Sequence, residues 1–111
     1  MTAVARKLES IKEKASLKNV DVAQLLHQRP ETVSRWNKGH AYPHRTTEKQ
    51  LLELEYIVDQ LSDLYEPNEA RQWLFSRQKL LEGESPASMI QNGRIEEVMK
   101  FVNQLRDAVY M

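Results

Sequence analysis

Residues 19–38 read NVDVAQLLHQRPETVSRWNK. Val22, Ala23, Leu25 and Leu26 lie before a tight break, and Val33 and Trp36 lie after it. Pro30 suits the first turn of a helix, where its missing N–H costs nothing, and Gly39 is a natural stop. The spacing predicts two short helices joined by a turn, with Ala23 letting them approach and Val22, Leu26, Val33 and Trp36 packing the pair. The turn position calls for a positive φ and holds His27, which accepts that conformation better than a β-branched residue would. Trp36 takes an inward slot, so it reads as core rather than as a platform for stacked bases. Arg29, Glu31, Thr32, Ser34, Arg35 and Lys38 then face outward, and His40, His44 and Arg45 follow in the next loop. Arg forks onto guanine edges, Ser and Thr adapt to several bases, and Lys meets phosphate. Glu31 either accepts from a cytosine amino group or complements the positive start of the helix. The pattern is that of a DNA-reading helix-turn-helix; its plainer alternative is a helical hairpin with a solvated basic face.

The charge outside this segment sharpens the reading. The 111-residue chain holds 16 Lys/Arg and 16 Asp/Glu, a formal net of zero that taken whole argues against a nucleic-acid partner. Divided after Gln50, the first part carries ten basic and five acidic residues, and the second six and eleven. The neutral total is therefore +5 against −5, which suggests one polyanion-facing half and one half with another task. The absence of Cys excludes disulfides and thiolate metal sites. The first twenty residues have no signal-peptide apolar region, and no apolar run is long enough to span a bilayer. The expectation is a cytoplasmic protein with no membrane partner.

Elsewhere the apolar spacing is helical throughout. Val4, Leu8, Ile11 and Ala15 define a first helix. Thr47-Glu48-Lys49-Gln50 matches a capping box that would open the longest helix, with Leu51, Leu54, Val58, Leu61 and Tyr65 on one stripe widened by Ile57 and Leu64. So wide a face predicts a helix covered from two sides. Pro67-Asn68 opens a helix through Ala70, Trp73 and Leu74, and Ser85-Pro86 opens a short one ending at Gly93. Ile95, Val98, Met99, Val102, Leu105 and Val109 stripe the last. The fold class is all-α with about seven helices. Residues 1–65 form the helix-turn-helix domain with the central helix, and residues 66–111 a small helical domain too slight to stand alone.

No catalytic set is present: there is no Cys, no Gly-rich phosphate loop and no His after His44. Glu82 and Glu84 read as solvated turn charges. His40 and His44 do not form a metal pair, because Pro43 breaks the helix that would align them. The expectation is a non-enzyme with no cofactor and no metal. Trp73-Leu74-Phe75 and Leu80-Leu81 instead suggest an interaction surface, unless they pack on the central helix.

After the helix-turn-helix, the order Trp73-Leu74, Leu80-Leu81, Gly83, Ser85-Pro86, Met89-Ile90, Gly93 and Val98-Met99 resembles the Xre/MbcA/ParS antitoxins, most closely the MbcA branch. The resemblance spans roughly residues 4–111. It departs at Ser76–Lys79, where the family often has Asn-Pro, and at Ser88, where Asp is common. It implies an Xre-type bundle carrying a toxin-binding domain, a RES-domain toxin partner that consumes NAD or transfers ADP-ribose, neutralisation by covering that toxin's active site, and autorepression at operator DNA. A homodimer or a larger hetero-oligomer with the toxin is expected. The candidate toxin contacts are Trp73, Phe75, Arg77, Lys79, Arg106, Val109, Tyr110 and Met111. The apolar tail either enters or rims the toxin's cleft, or it continues the stripe onto the chain's own core. The other function class is a stand-alone transcriptional repressor whose C-terminal half dimerises.

Overall fold

The computed structural model describes residues 1–110. Among them seven α-helices run in order: α1 (Ala3–Ala15), α2 (Asn19–Leu25), α3 (Pro30–Asn37), α4 (Arg45–Ser62), α5 (Pro67–Phe75), α6 (Pro86–Gln91) and α7 (Ile95–Tyr110). A single 3₁₀ turn, Lys79–Leu81, lies between α5 and α6. The fold is all-helical, as the periodicity predicts.

Local chemistry starts most of these helices. Thr2 Oγ1 accepts from the Ala5 N–H at 3.0 Å, and Ser85 Oγ accepts from the Ser88 N–H at 3.1 Å, each meeting an otherwise orphaned donor. Pro30, Pro67 and Pro86 occupy the first turns of α3, α5 and α6. The expected capping box at Thr47 does not form. His44 is extended at φ −62° and ψ 160°, the backbone of a residue that precedes a helix. The His44 carbonyl already accepts from the Glu48 N–H at 2.8 Å, so the helix begins at Arg45 and Thr47 lies inside its first turn. The far end is also shorter than the stripe implied. The helix stops at Ser62, and Tyr65 packs half-buried on the core from the following turn.

The central position of α4 follows from its composition. Leu51, Leu54, Ile57, Val58 and Leu61 are all fully buried, and α4 packs against α1, α5 and α7. One apolar cluster runs from Val4 and Leu8 through Val33 and Trp36 to Trp73, Val98 and Val102. Helix α7 lies alongside α4 in the same direction: Asn103 accepts from the Tyr56 hydroxyl, Arg106 Nη1 donates to Gln60 Oε1 at 2.7 Å, and Tyr110 reaches the Asp63 carbonyl at 3.4 Å. Among the described residues no helix is long and apolar enough to cross a membrane.

Candidate nucleic-acid and partner interfaces

The outer face of α3 is built by its start and its stop. Arg29 is extended at φ −78° and ψ 144°, so its side chain flanks rather than joins the helix. Val33 and Trp36 are buried, which turns Glu31, Arg35 and Lys38 fully outward and leaves Thr32 and Ser34 half-buried on the shoulders. At the stop, Gly39 at φ +78° lets the His40 N–H reach back to the Arg35 carbonyl at 2.9 Å. That reversal puts exposed His40 beside the end of α3, and exposed Arg45 opens α4. Two hollows flank the helix. One of about 620 Å³ lies between it and the start of α2, lined by Val20, Ser34, Arg35 and Lys38 among others. The other, of about 310 Å³, is lined by Thr32, Arg35, Tyr42 and His44. Among the described residues, Arg29, Arg35, Lys38 and Arg45 have no ion-pair or side-chain hydrogen-bond partner. Their charge is therefore available to an external anion.

The sequence-predicted contacts of the C-terminal half differ in burial. Trp73 is corrected to a core residue: it is 8% exposed and stacks on Phe101 at 5.8 Å, because its place on α5 points toward α7. Phe75, two residues on, is exposed and lies under the Arg71 guanidinium at 5.1 Å. Arg77 and Lys79 are exposed, and Leu80 beside them is 81% exposed. Leu80 and Leu81 border a groove of about 300 Å³ shared with Lys100, Phe101 and Gln104. At the other end of α7, Arg106 is held by Gln60 and Asp63 and lies over the Tyr110 ring at 5.8 Å. Val109 is 59% and Tyr110 64% exposed, so the packing alternative for these two is set aside: α4 has ended at their level. Met111 lies outside the described residues.

Two sets of polar contacts escaped the sequence reading. Asp21 is a buried charged side chain on α2. Arg71 of α5 donates to its Oδ2 at 2.7 Å and its Oδ1 at 3.2 Å, and also to the Ser16 carbonyl at 3.1 Å. Burial raises the Asp21 carboxyl, but the Arg71 guanidinium and the Lys18 backbone N–H outweigh it and hold the group below its ordinary value. Glu84 is not merely solvated. Arg94 bridges it at 2.6 Å and Glu97 at 2.7 Å, which fastens the turn before α6 to the start of α7. Glu97, then Glu84, push the Arg94 guanidinium above its ordinary value. An acidic residue between Val20 and Val22 was the available signal for Asp21; its partner, fifty residues away, leaves no trace in one sequence.

No protein-family model matches the chain. The mycobacterial cidal antitoxins MbcA of Mycobacterium bovis and Mycobacterium tuberculosis are each 28% identical over 99 residues, which covers 89% of this chain and 88% of theirs. A probable mycobacterial cidal antitoxin of M. tuberculosis is 30% identical over 92 residues, 83% of this chain and 78% of that protein. Among solved structures, a chain of the M. tuberculosis MbcT–MbcA toxin–antitoxin complex superposes with a TM-score of 0.84 at 26% identity, over the full length of both chains. An all-helical chain that shares this fold end to end is of the protein-antitoxin class. It belongs to the mycobacterial cidal antitoxin family, of MbcA type.

Proposed function

We propose that the chain is the antitoxin of a two-protein system, that it binds and neutralises a cognate RES-domain toxin, and that it represses its own operon. The carrying observation is the end-to-end likeness to a chain of the MbcT–MbcA complex, which involves both the α2–α3 unit and the C-terminal helices. On this reading residues 1–65 carry an Xre-type helix-turn-helix, with α3 in the major groove of operator DNA. Arg29, Glu31, Thr32, Ser34 and Arg35 address base edges, while Lys38, His40 and Arg45 follow the phosphates. Residues 66–111 meet the toxin through Phe75, Arg77, Lys79 and the end of α7. Exposed apolar side chains there supply area, and the basic ones supply orientation. The toxin's NAD-consuming or ADP-ribosylating chemistry stops because its active-site entrance is covered. The chain itself acts by binding in the cytoplasm, without catalysis and without a cofactor, as a homodimer or a larger assembly with the toxin.

The test is to co-purify the chain with the product of the neighbouring gene and to assay that product for NAD consumption with and without it. A stable complex with the activity suppressed is the expected result. A harmless neighbour, or a harmful one that this chain does not rescue, would reject the antitoxin role for that pair. In parallel, DNA from upstream of the operon should bind as a two-fold site, with affinity falling as salt rises.

A further inference from the structure

We infer that Arg71 is a positioning residue that couples the outer face of α5 to the α2–α3 hairpin, so that whatever covers Phe75 is felt at the DNA-reading helix. The inference rests on the two-ended function proposed above and adds the physical link between the ends.

Helix α2 has only seven residues, too few to hold its own position by backbone bonds. It is fastened to the C-terminal half at both ends. At its start, the Asp21 carboxylate accepts from the Lys18 N–H at 2.8 Å and from two nitrogens of Arg71, whose Nη1 also reaches the Ser16 carbonyl that ends α1. At its end, His27 at φ +55° sends Nε2 to the Gln91 carbonyl at the end of α6. Between these ties α2 packs on α3, whose outer face carries Arg35 and Lys38.

Arg71 has two loyalties. Its nitrogens are spent on Asp21 and Ser16, and its central carbon lies 5.1 Å from the centroid of the exposed Phe75 ring. A cation over a ring face is attracted to it, so the ring helps to hold the guanidinium in place. Phe75 and Arg71 also border an open hollow of about 490 Å³ with Asn68, Gln72 and Ser76. A toxin surface that packs on Phe75, with an acidic group drawn to the 41%-exposed Arg71 side chain, would redistribute those bonds and release or tighten the start of α2. By linkage the effect is reciprocal: DNA held by α3 alters affinity at α5 by the same factor.

A double-substitution cycle in the full chain tests this without needing the partner. Amide hydrogen exchange is read in α2 relative to α7 for wild type, Phe75→Ala, Arg71→Met and the double variant. Phe75→Ala should speed exchange in α2 by about 2- to 5-fold, the worth of an exposed cation–ring contact. In the Arg71→Met background that increment should vanish. Equal increments in both backgrounds would overturn the coupling. Arg71→Lys, which keeps the charge and loses the fork, should fall between, and it serves if the Met variant fails to fold. The same four proteins are then titrated with a duplex of the DNA upstream of the chain's own gene. Failure of the wild type to bind it would strike at the DNA-reading proposal, while the exchange cycle still decides the coupling.

Discussion

Arg71→Met keeps the apolar stem and removes the charge that Asp21 needs. Because the Arg71 side chain is 41% exposed, the loss should be about 1–3 kcal/mol, below the penalty for orphaning a fully buried pair; urea unfolding measures it. The sign of the pH effect follows from the same contact. The folded-state Asp21 carboxyl lies below its unfolded value, so its stabilisation is complete above the ordinary carboxylate range and is lost as pH falls through about 4 toward the folded-state value. Asp21→Asn should remove that share of acid sensitivity, visible as a smaller drop in urea midpoint between about pH 5 and pH 3. The α3 face makes a different prediction. Arg35→Ala should weaken operator binding and blur base preference at one position, costing about 1–3 kcal/mol. Lys38→Ala should weaken all sequences about equally and reduce the salt slope by about one; fluorescence titration at several salt concentrations separates the two. The outward residues of α3 were legible because a helix start, a stop and two buried apolar residues fix which way the others point. Asp21 and Trp73 were not, since only the tertiary position of α5 decides that one is paired and the other is covered.

Four helices end in the same device, in which a left-handed residue turns the chain so that the next N–H reaches five residues back. At α3 and α6 the left-handed residue is Gly39 or Gly93, and both stops were readable in the sequence. At α1 and α2 it is Ser16 at φ +50° and His27 at φ +55°, with Leu17 N–H on the Lys12 carbonyl at 3.0 Å and Gln28 N–H on the Ala23 carbonyl at 2.8 Å. A side chain strains this conformation, so Ser16→Gly should stabilise by about 0.5–1 kcal/mol. Its carbonyl, which Arg71 uses, is retained. Gly39→Ala should destabilise by about 1–2 kcal/mol, because the new Cβ also meets Thr2 Cγ2 at 3.3 Å. Thermal unfolding of both variants checks the pair, and equal melting temperatures would show that these ends relax by another route. Element type was legible almost everywhere because the apolar period is unambiguous. Boundaries were less so, and α4 shows why: the sequence match at Thr47 competed with an earlier start, where the extended His44 already supplies the first accepting carbonyl, and the earlier start won.

At the scale of the whole molecule, opposed charge and a continuous core have to be reconciled. Ten basic residues before Leu51 and eleven acidic ones after Gln50 decorate two stretches that share one apolar cluster, so the chain's two polarities are surfaces on one body. Such an arrangement permits one end to change partner chemistry without disturbing the other, provided the changed residues lie outside the core and away from the Arg71 link. The tail meets that condition. Val109 and Tyr110 are mostly exposed, and the Tyr110 hydroxyl makes one long contact, 3.4 Å, to the Asp63 carbonyl. Removing residues 108–111 therefore should cost no more than about 1 kcal/mol, the worth of the exposed contact between the Arg106 guanidinium and the Tyr110 ring. Arg106 keeps its bonds to Gln60 and Asp63, so the end of α7 stays anchored. DNA affinity and its salt slope should also be unchanged, since no basic residue is removed. Toxin neutralisation should fall sharply, because the deletion strips exposed apolar area from the side proposed to cover the active site. The decisive measurement is NAD consumption by the partner titrated with full-length and shortened chains at matched folded fraction. Equal titration curves would confine neutralisation to the Phe75–Lys79 side of the molecule.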